Sequence, residues 1–265
     1  MIGRLVKLSL CVSFIFFIGL LCIGQSHAKI DAKSIVGTWL FDDGNGKTAK
    51  DSSGNKNDGE IKGDLKWVDG KFGKALEFPG ADENFVEVPY NDSLTLTTFS
   101  FTLWVKLQST GNYQSVLIKT ADGQVENYSG YIFAGTNVFW TRFTSGGAGK
   151  WAFQKWGATV AADDKWHHLA GTYDMKSVTS YIDGKVEAAA DTNGKPDASP
   201  GPLNIGDCPG FPYFAKGIID DVGLFNVGLT ADDIKTVMDK GLAIFLAVSP
   251  SGKLATTWGE IKDLR

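Results

Sequence analysis

The stretch Asp164-Lys165-Trp166-His167-His168-Leu169-Ala170-Gly171-Thr172-Tyr173-Asp174, continued by Val178-Thr179-Ser180-Tyr181-Ile182-Asp183-Gly184-Lys185, decides the fold class. Apolar and polar residues alternate in both runs, the period of two that a half-buried strand requires. The second run ends in Asp183-Gly184, and an Asp-Gly pair at the end of an alternating run is the strongest short-range signal for an antiparallel hairpin. Working outward, Phe99, Phe101, Leu103 and Val105 alternate with Ser100, Thr102, Trp104 and Lys106, which predicts a half-buried strand with the first set in the core. Further strands are predicted at 36–41, 74–78, 85–89, 116–119, 131–134, 138–143, 151–153, 203–206 and 217–225. Many short strands separated by turn residues, with hardly any long helical periodicity before residue 229, read as an all-β sandwich or barrel.

One helix is predicted over 230–240. Thr230 can cap its N-terminus, Asp232 and Asp233 complement the dipole in its first turn, and Gly241 follows its last. The segment 191–202, with Asn193-Gly194 and three prolines, resists regular structure and reads as an insertion within one domain.

The Trp-His-His run, the Ala-Gly-Thr-Tyr strand and the Tyr-Ile-Asp-Gly-Lys hairpin resemble the central signature of laminin G-like domains of the concanavalin A-like superfamily. The resemblance implies a two-sheet antiparallel jelly-roll sandwich with one short C-terminal helix. It covers most of the chain from Trp39 to Gly241, and it leaves the ligand open, because one fold hosts lectins, adhesion modules, enzymes and spacers.

Residues 1–28 read as a signal peptide. Arg4 and Lys7 precede an apolar run from 8 to 23, and Gln25-Ser26-His27-Ala28 offers small residues for cleavage. A run of this length approaches the ~18 residues of a membrane span, but the small-residue exit favours cleavage. Cleavage near Ala28 would place the protein outside the cytoplasm, secreted, periplasmic or at the cell surface. The leader takes two of the 26 basic residues with it, leaving 24 against 30 acidic ones. That balance argues against nucleic acid, whose phosphates need clustered Lys and Arg. Cys11 and Cys22 also leave, so Cys208 stands alone and no internal disulfide can staple the fold. About 237 residues remain, enough for one jelly-roll domain over 29–243, with a tail over 244–265.

Near the N-terminus, Phe41-Asp42-Asp43-Gly44-Asn45-Gly46 and Asp51-Ser52-Ser53-Gly54-Asn55-Lys56-Asn57-Asp58-Gly59 crowd hard oxygen ligands into glycine-rich loops. Such loops can gather carboxylate, amide and carbonyl oxygens on calcium, or can simply cap their own backbone. In the resemblance, a structural calcium often lies near this loop. Further on, Gly217-Ile218-Ile219-Asp220-Asp221-Val222-Gly223-Leu224-Phe225 places Asp220, by alternation, on the side of Val222 and Leu224. A buried carboxylate needs a partner, either a metal or backbone N–H groups. The first and last strands lie together in the implied fold, so Asp42, Asp51, Asn55 and Asp220 are the predicted ligands of one structural calcium. The chain departs from the family pattern where Gly223 and Val227-Gly228 stand in place of the usual arginines.

Catalytic signatures are weak. His167 and His168 are adjacent on a strand and point to opposite faces. No serine or cysteine sits in a nucleophile elbow. The Glu-x-Asp-x-x-Glu run implied by laminarinase-type members of the superfamily is absent, and neither Glu83 with Glu87 nor Asp163 with Asp164 makes an acid and nucleophile pair. Aromatic residues remain: Trp140, Trp151 and Trp156, and the loop Phe211-Pro212-Tyr213-Phe214. Most belong in a core, but an exposed ring can stack on the flat C–H face of a sugar. Trp156 and Tyr213 are the predicted ligand-binding residues. The expectation is a secreted non-catalytic module that recognises an extracellular glycan or protein surface. The alternatives are a glycoside hydrolase or lyase of unrecognised type and a structural cell-surface protein.

Overall fold

A computed structural model of the chain describes residues 30–152 and 155–246. The signal peptide read over 1–28 lies outside the described residues, as does the tail from 247 onward. Among the described residues no helix is long and apolar enough to cross a membrane.

The strands, in chain order, begin with β1 (Ile35–Trp39), β2 (Thr48–Ala49), β3 (Gly59–Ile61), β4 (Lys66–Asp69) and β5 (Lys74–Pro79). There follow β6 (Val86–Val88), β7 (Phe99–Leu107), β8 (Gln114–Thr120), β9 (Glu126–Ile132) and β10 (Phe139–Arg142). The last are β11 (Trp166–Tyr173), β12 (Ser177–Ile182), β13 (Lys185–Asp191), β14 (Leu203–Ile205) and β15 (Lys216–Phe225). Two helices close the described chain, α1 (Ala231–Lys240) and α2 (Ala243–Leu246).

The strands form two antiparallel sheets of a jelly-roll sandwich. The first runs β13-β12-β11-β7-β15-β5-β4, with β1 also paired to β15. The second runs β10-β9-β8-β14-β6-β3-β2. The decisive stretch is β11, β12 and the start of β13. Leu169 pairs with Ile182, and the two-residue turn has φ 51° at Asp183 and 74° at Gly184, the positive values of a type I′ hairpin.

The inner faces meet on Phe99, Phe101, Leu103 and Val105 of β7, Leu169 and Tyr173 of β11, and Tyr128, Ile132 and Phe139 of the opposite sheet, all fully buried. Side chains that fill this layer remove apolar surface from water at ~25 cal/mol per Å². Gly171 is required by the closeness of the layers: a Cβ there would strike Thr141 across the core and Phe101 beside it.

One expectation for β7 fails. Its outer residues Ser100, Thr102 and Trp104 are buried too, because α1 and the β4–β5 turn cover that face. Ser100 Oγ donates to the Val227 carbonyl and accepts the Leu229 N–H at 2.8 Å, anchoring the chain that leads into the helix. In α1, Thr230 and Asp233 form a reciprocal capping box and Gly241 ends the helix with φ 73°. Ile234 and Val237 pack on Ala170, Tyr181 and Phe225.

Candidate functional site

The outer face of the second sheet is different. Alternation along β8, β9 and β10 points Ile118, Tyr131, Trp140 and Arg142 away from the core. Ile118, Tyr131 and Trp140 cluster there with Cys208, joined by the half-buried Phe133, Phe211 and Tyr213. Loops bring the rest: Tyr113 precedes β8, Trp151 and Trp156 follow β10, and Phe211 and Tyr213 lie between β14 and β15. Of these, Tyr113, Tyr131, Trp140, Arg142, Trp151, Phe211 and Tyr213 frame a half-open cleft of about 280 Å³, in which Gly123 and Gln124 complete the lining. A Cβ at Gly123 would collide with the Phe211 ring.

The rings brace one another. Tyr113 sits 4.9 Å from Phe133 and 5.1 Å from Tyr213, and Phe211 stacks on Tyr213 at 5.1 Å. Trp156, 47% exposed, lies 5.0 Å from Phe133 and 5.6 Å from Trp140, extending the aromatic surface along the rim. Offset and edge contacts of this kind contribute about 0.5–1.5 kcal/mol each, so the surface is formed before any ligand arrives. The indole N–H groups of Trp140 and Trp151 have no protein partner.

Beneath the rings lies an ion pair. Arg142 Nε donates to Glu126 Oε2 at 2.9 Å and Nη2 to Oε1 of the same fully buried carboxylate. The guanidinium carbon stands 4.6 Å from the Tyr131 ring, 4.7 Å from Trp151 and 5.1 Å from Trp140. Burial works against the Arg142 charge, but the bonds to Glu126 outweigh it and hold the guanidinium pKa above its usual value. Burial, assisted by the Glu126 charge, drives the Tyr131 phenol well above its ordinary range. Burial also pushes the Cys208 thiol up to about 12, so the thiol, buried beside the Tyr131 hydroxyl, is inert.

A larger depression of about 460 Å³, lined in part by Lys195, Pro196 and Asp197, has no aromatic lining. Asp197 there accepts the N–H groups of Gly146 and Gly147, which stitches two loops together.

Of the predicted ligand-binding residues, Tyr213 lines the cleft and Trp156 stands at its rim. Tyr113, Tyr131, Glu126 and Arg142 escaped the sequence reading. The available signal was the i, i+2 spacing of Trp140 with Arg142 and of Ser129 with Tyr131, which sets large polar or aromatic groups on the outer face of a strand.

The four predicted calcium ligands divide into two pairs. Asp51 accepts the N–H groups of Thr38, Ser53 and Asn57 and the Ser53 hydroxyl at 2.9–3.0 Å, while the Asn55 amide donates to the Ile35 and Val36 carbonyls. Both therefore tie the following loop to β1. Asp42 and Asp220 instead meet the β4–β5 turn: Asp42 Oδ1 accepts from Lys74 N–H, and Asp220 Oδ2 accepts from Lys71 and Phe72 N–H at 2.7 and 2.9 Å.

Asp220 reaches that turn through a correction to the predicted alternation. A bulge at Asp221, φ 50°, shifts the register of β15 between Asp220 and Gly223. Ile219, Val222 and Leu224 keep to the core, so Asp220 faces the opposite side. It is fully buried there, with Oδ1 lacking a donor, and burial followed by the nearby Asp42 charge lifts its pKa to about 6 despite the backbone N–H groups. Burial likewise lifts Asp221 to about 7. Among the described residues no three His, Cys, Asp or Glu side chains are grouped to hold a metal ion by themselves.

The histidines separate as expected. His167 lies between Asp183 at 2.8 Å and Asp163 at 3.1 Å. His168 is fully buried edge-on to Trp104, with neither ring nitrogen bonded.

Two antiparallel sheets with this connectivity define a concanavalin A-like sandwich. The chain belongs to the Laminin_G_3 family of the concanavalin A-like lectin/glucanases superfamily, whose profile matches residues 80–235. No curated protein sequence matches it. Among solved structures, domain 4 of AbnA, a GH43 extracellular arabinanase from Geobacillus stearothermophilus, in complex with arabinotriose, is similar at 22% identity and TM-score 0.61, over 77% of this chain and 98% of that one. The binding domain of Paraclostridial Mosquitocidal Protein 1 is similar at 15% identity and TM-score 0.62, over 78% of this chain and 52% of that one. The binding domain of botulinum neurotoxin DC, in complex with rat synaptotagmin II, has the same identity, coverage and TM-score. The chain thus spans about half the length of these toxin domains, and at such identities the likeness is one of fold.

Proposed function

We propose that the chain is an exported, non-catalytic recognition module that binds carbohydrate in the aromatic cleft. One observation carries the reading: a half-open cleft with Tyr213, Phe211, Trp140 and Trp151 in its walls and Trp156 at its rim, next to the uncharged amide of Gln124. Flat rings suit the C–H face of a sugar, and a few polar groups suit its hydroxyls. Glycoside hydrolysis uses two carboxyl groups flanking the scissile bond, and no Asp or Glu lines this cleft among the described residues. The arabinotriose complex of a similar domain supports a sugar as ligand, and the leader pattern supports an extracellular location. The synaptotagmin complex of another supports a protein surface as the second reading.

Calcium enters as a smaller proposal resting on one atom. Asp220 Oδ1 is buried without a donor, and a Ca²⁺ shared with Asp42 would supply its partner, the remaining oxygens coming from backbone and water. Asp51 and Asn55 are committed to β1 and stay outside it. Chelation should then lower the melting temperature of the parent and leave Asp220→Ala unmoved; an equal response in both removes the ion from Asp220.

A glycan-array screen with and without calcium tests the main reading. The parent should retain a defined set of glycans that Tyr213→Ala loses. Retention of the same set by that variant, with its fold intact, would place binding elsewhere.

A further inference from the structure

We infer that the cleft selects uncharged sugars, neutral pentose or hexose oligosaccharides, over glycans that carry carboxylate or sulfate groups. The inference rests on the carbohydrate reading and adds the charge class of the ligand.

Arg142 is the one charged residue lining the cleft among the described residues. A free arginine under aromatic rings would be an anion site, because its planar fork matches carboxylate and sulfate oxygens. Here the fork is occupied. Two of its five N–H donors point at Glu126, and Glu126 is pinned in turn by the hydroxyls of Ser129 at 2.6 Å and Tyr131 at 3.1 Å. The carboxylate therefore cannot swing aside to release the guanidinium, and exchanging it for a ligand anion would leave a buried charge without its partner. The pair presents no net charge to the cleft. Its remaining N–H donors can serve hydroxyl and ring oxygens, as can the amide of Gln124. An acidic sugar gains nothing there to offset its lost hydration, and the exported chain, with 24 basic against 30 acidic residues, repels it further.

The test uses the full chain and a uronic-acid oligosaccharide beside its carboxyl-reduced counterpart, with a panel of neutral pentose and hexose oligosaccharides, titrated by calorimetry from about 50 to about 500 mM NaCl. The neutral members should bind with no salt dependence, and the reduced form should bind several-fold more tightly than the acidic form. Glu126→Gln unbalances the Arg142 charge and should narrow or invert that preference. Where this variant fails to fold, the paired ligands and the salt series on the parent decide alone. Tighter, salt-sensitive binding of the acidic form overturns the inference while leaving the carbohydrate reading in place. Silence of every sugar overturns both.

Discussion

The outer faces of the two sheets carry similar side chains and meet opposite fates. On the first sheet, Ala170, Tyr181 and Phe225 lie under Ile234 and Val237 of α1 and under Leu229, Leu242 and Phe245 around it. On the second, Ile118, Tyr131 and Trp140 are buried in turn, but under the half-buried rings Phe133, Phe211 and Tyr213, and a half-open cleft remains beside them. Aliphatic groups from a helix seal the first face. Rings supported by other rings cover the second and still leave a cleft among them, because edge and stacked contacts stabilise the array without filling it. One face is thus sealed for stability, and the other is the one proposed to receive the ligand.

The largest effect that can break this comparison is expected on the sealed face. Ile234→Ala empties a fully buried site and should cost about 2–5 kcal/mol in denaturant unfolding, with sugar binding unchanged while the protein remains folded.

The sealed face also sets an acid sensitivity. Burial lowers the His168 pKa from 6.5 to about 4, opposed by the Asp183 and Asp239 carboxylates, so the ring is neutral when folded but takes a proton when unfolded below its ordinary pKa. Stability should therefore fall as pH drops from 6.5 toward 4, by roughly 3 kcal/mol at about 1.4 kcal/mol per pKa unit. His168→Phe should flatten that part of a melting profile. Asp220 and Asp221, raised by burial to about 6 and about 7, act with the opposite sign: folded protons are retained where the unfolded chain has lost them, so their share of stability declines as pH rises through that range.

On the open face, Trp156→Ala should change unfolding free energy by less than about 1 kcal/mol yet cost about 2 kcal/mol of sugar binding, the loss of a hot-spot ring. The smallest effect is Thr230→Ala, which removes the capping box of α1 and should cost about 1 kcal/mol of stability with binding untouched. A loss of binding there would couple the two faces.

Much of this architecture is legible in the sequence because it is local. Asp183-Gly184 carries its own turn geometry, and Thr230, Asp233 and Gly241 mark both ends of α1. What stayed hidden depends on distance along the chain or on a shift of register. The bulge at Asp221 moved Asp220 to the other side of its strand, which no alternation rule foresees. Short strands β2, β3 and β4 owe their existence to their partners rather than to their own pattern. Glu126 and Arg142 meet only because β9 and β10 pair with Ser129 opposite Arg142, and the cleft collects rings from loops at Tyr113, Trp151, Trp156 and Phe211–Tyr213. Single aromatic residues are more often core than site, so Tyr113 and Tyr131 drew no notice.

The central claim is that sugar meets the open face and never the sealed one. Indole N–H resonances report this directly during titration with a neutral oligosaccharide. The signals of Trp140, Trp151 and Trp156 should shift together, while those of Trp104 under the β4–β5 turn and Trp39 in the core stay fixed. Shifts confined to Trp104 or Trp39, or none at saturating sugar, would contradict it.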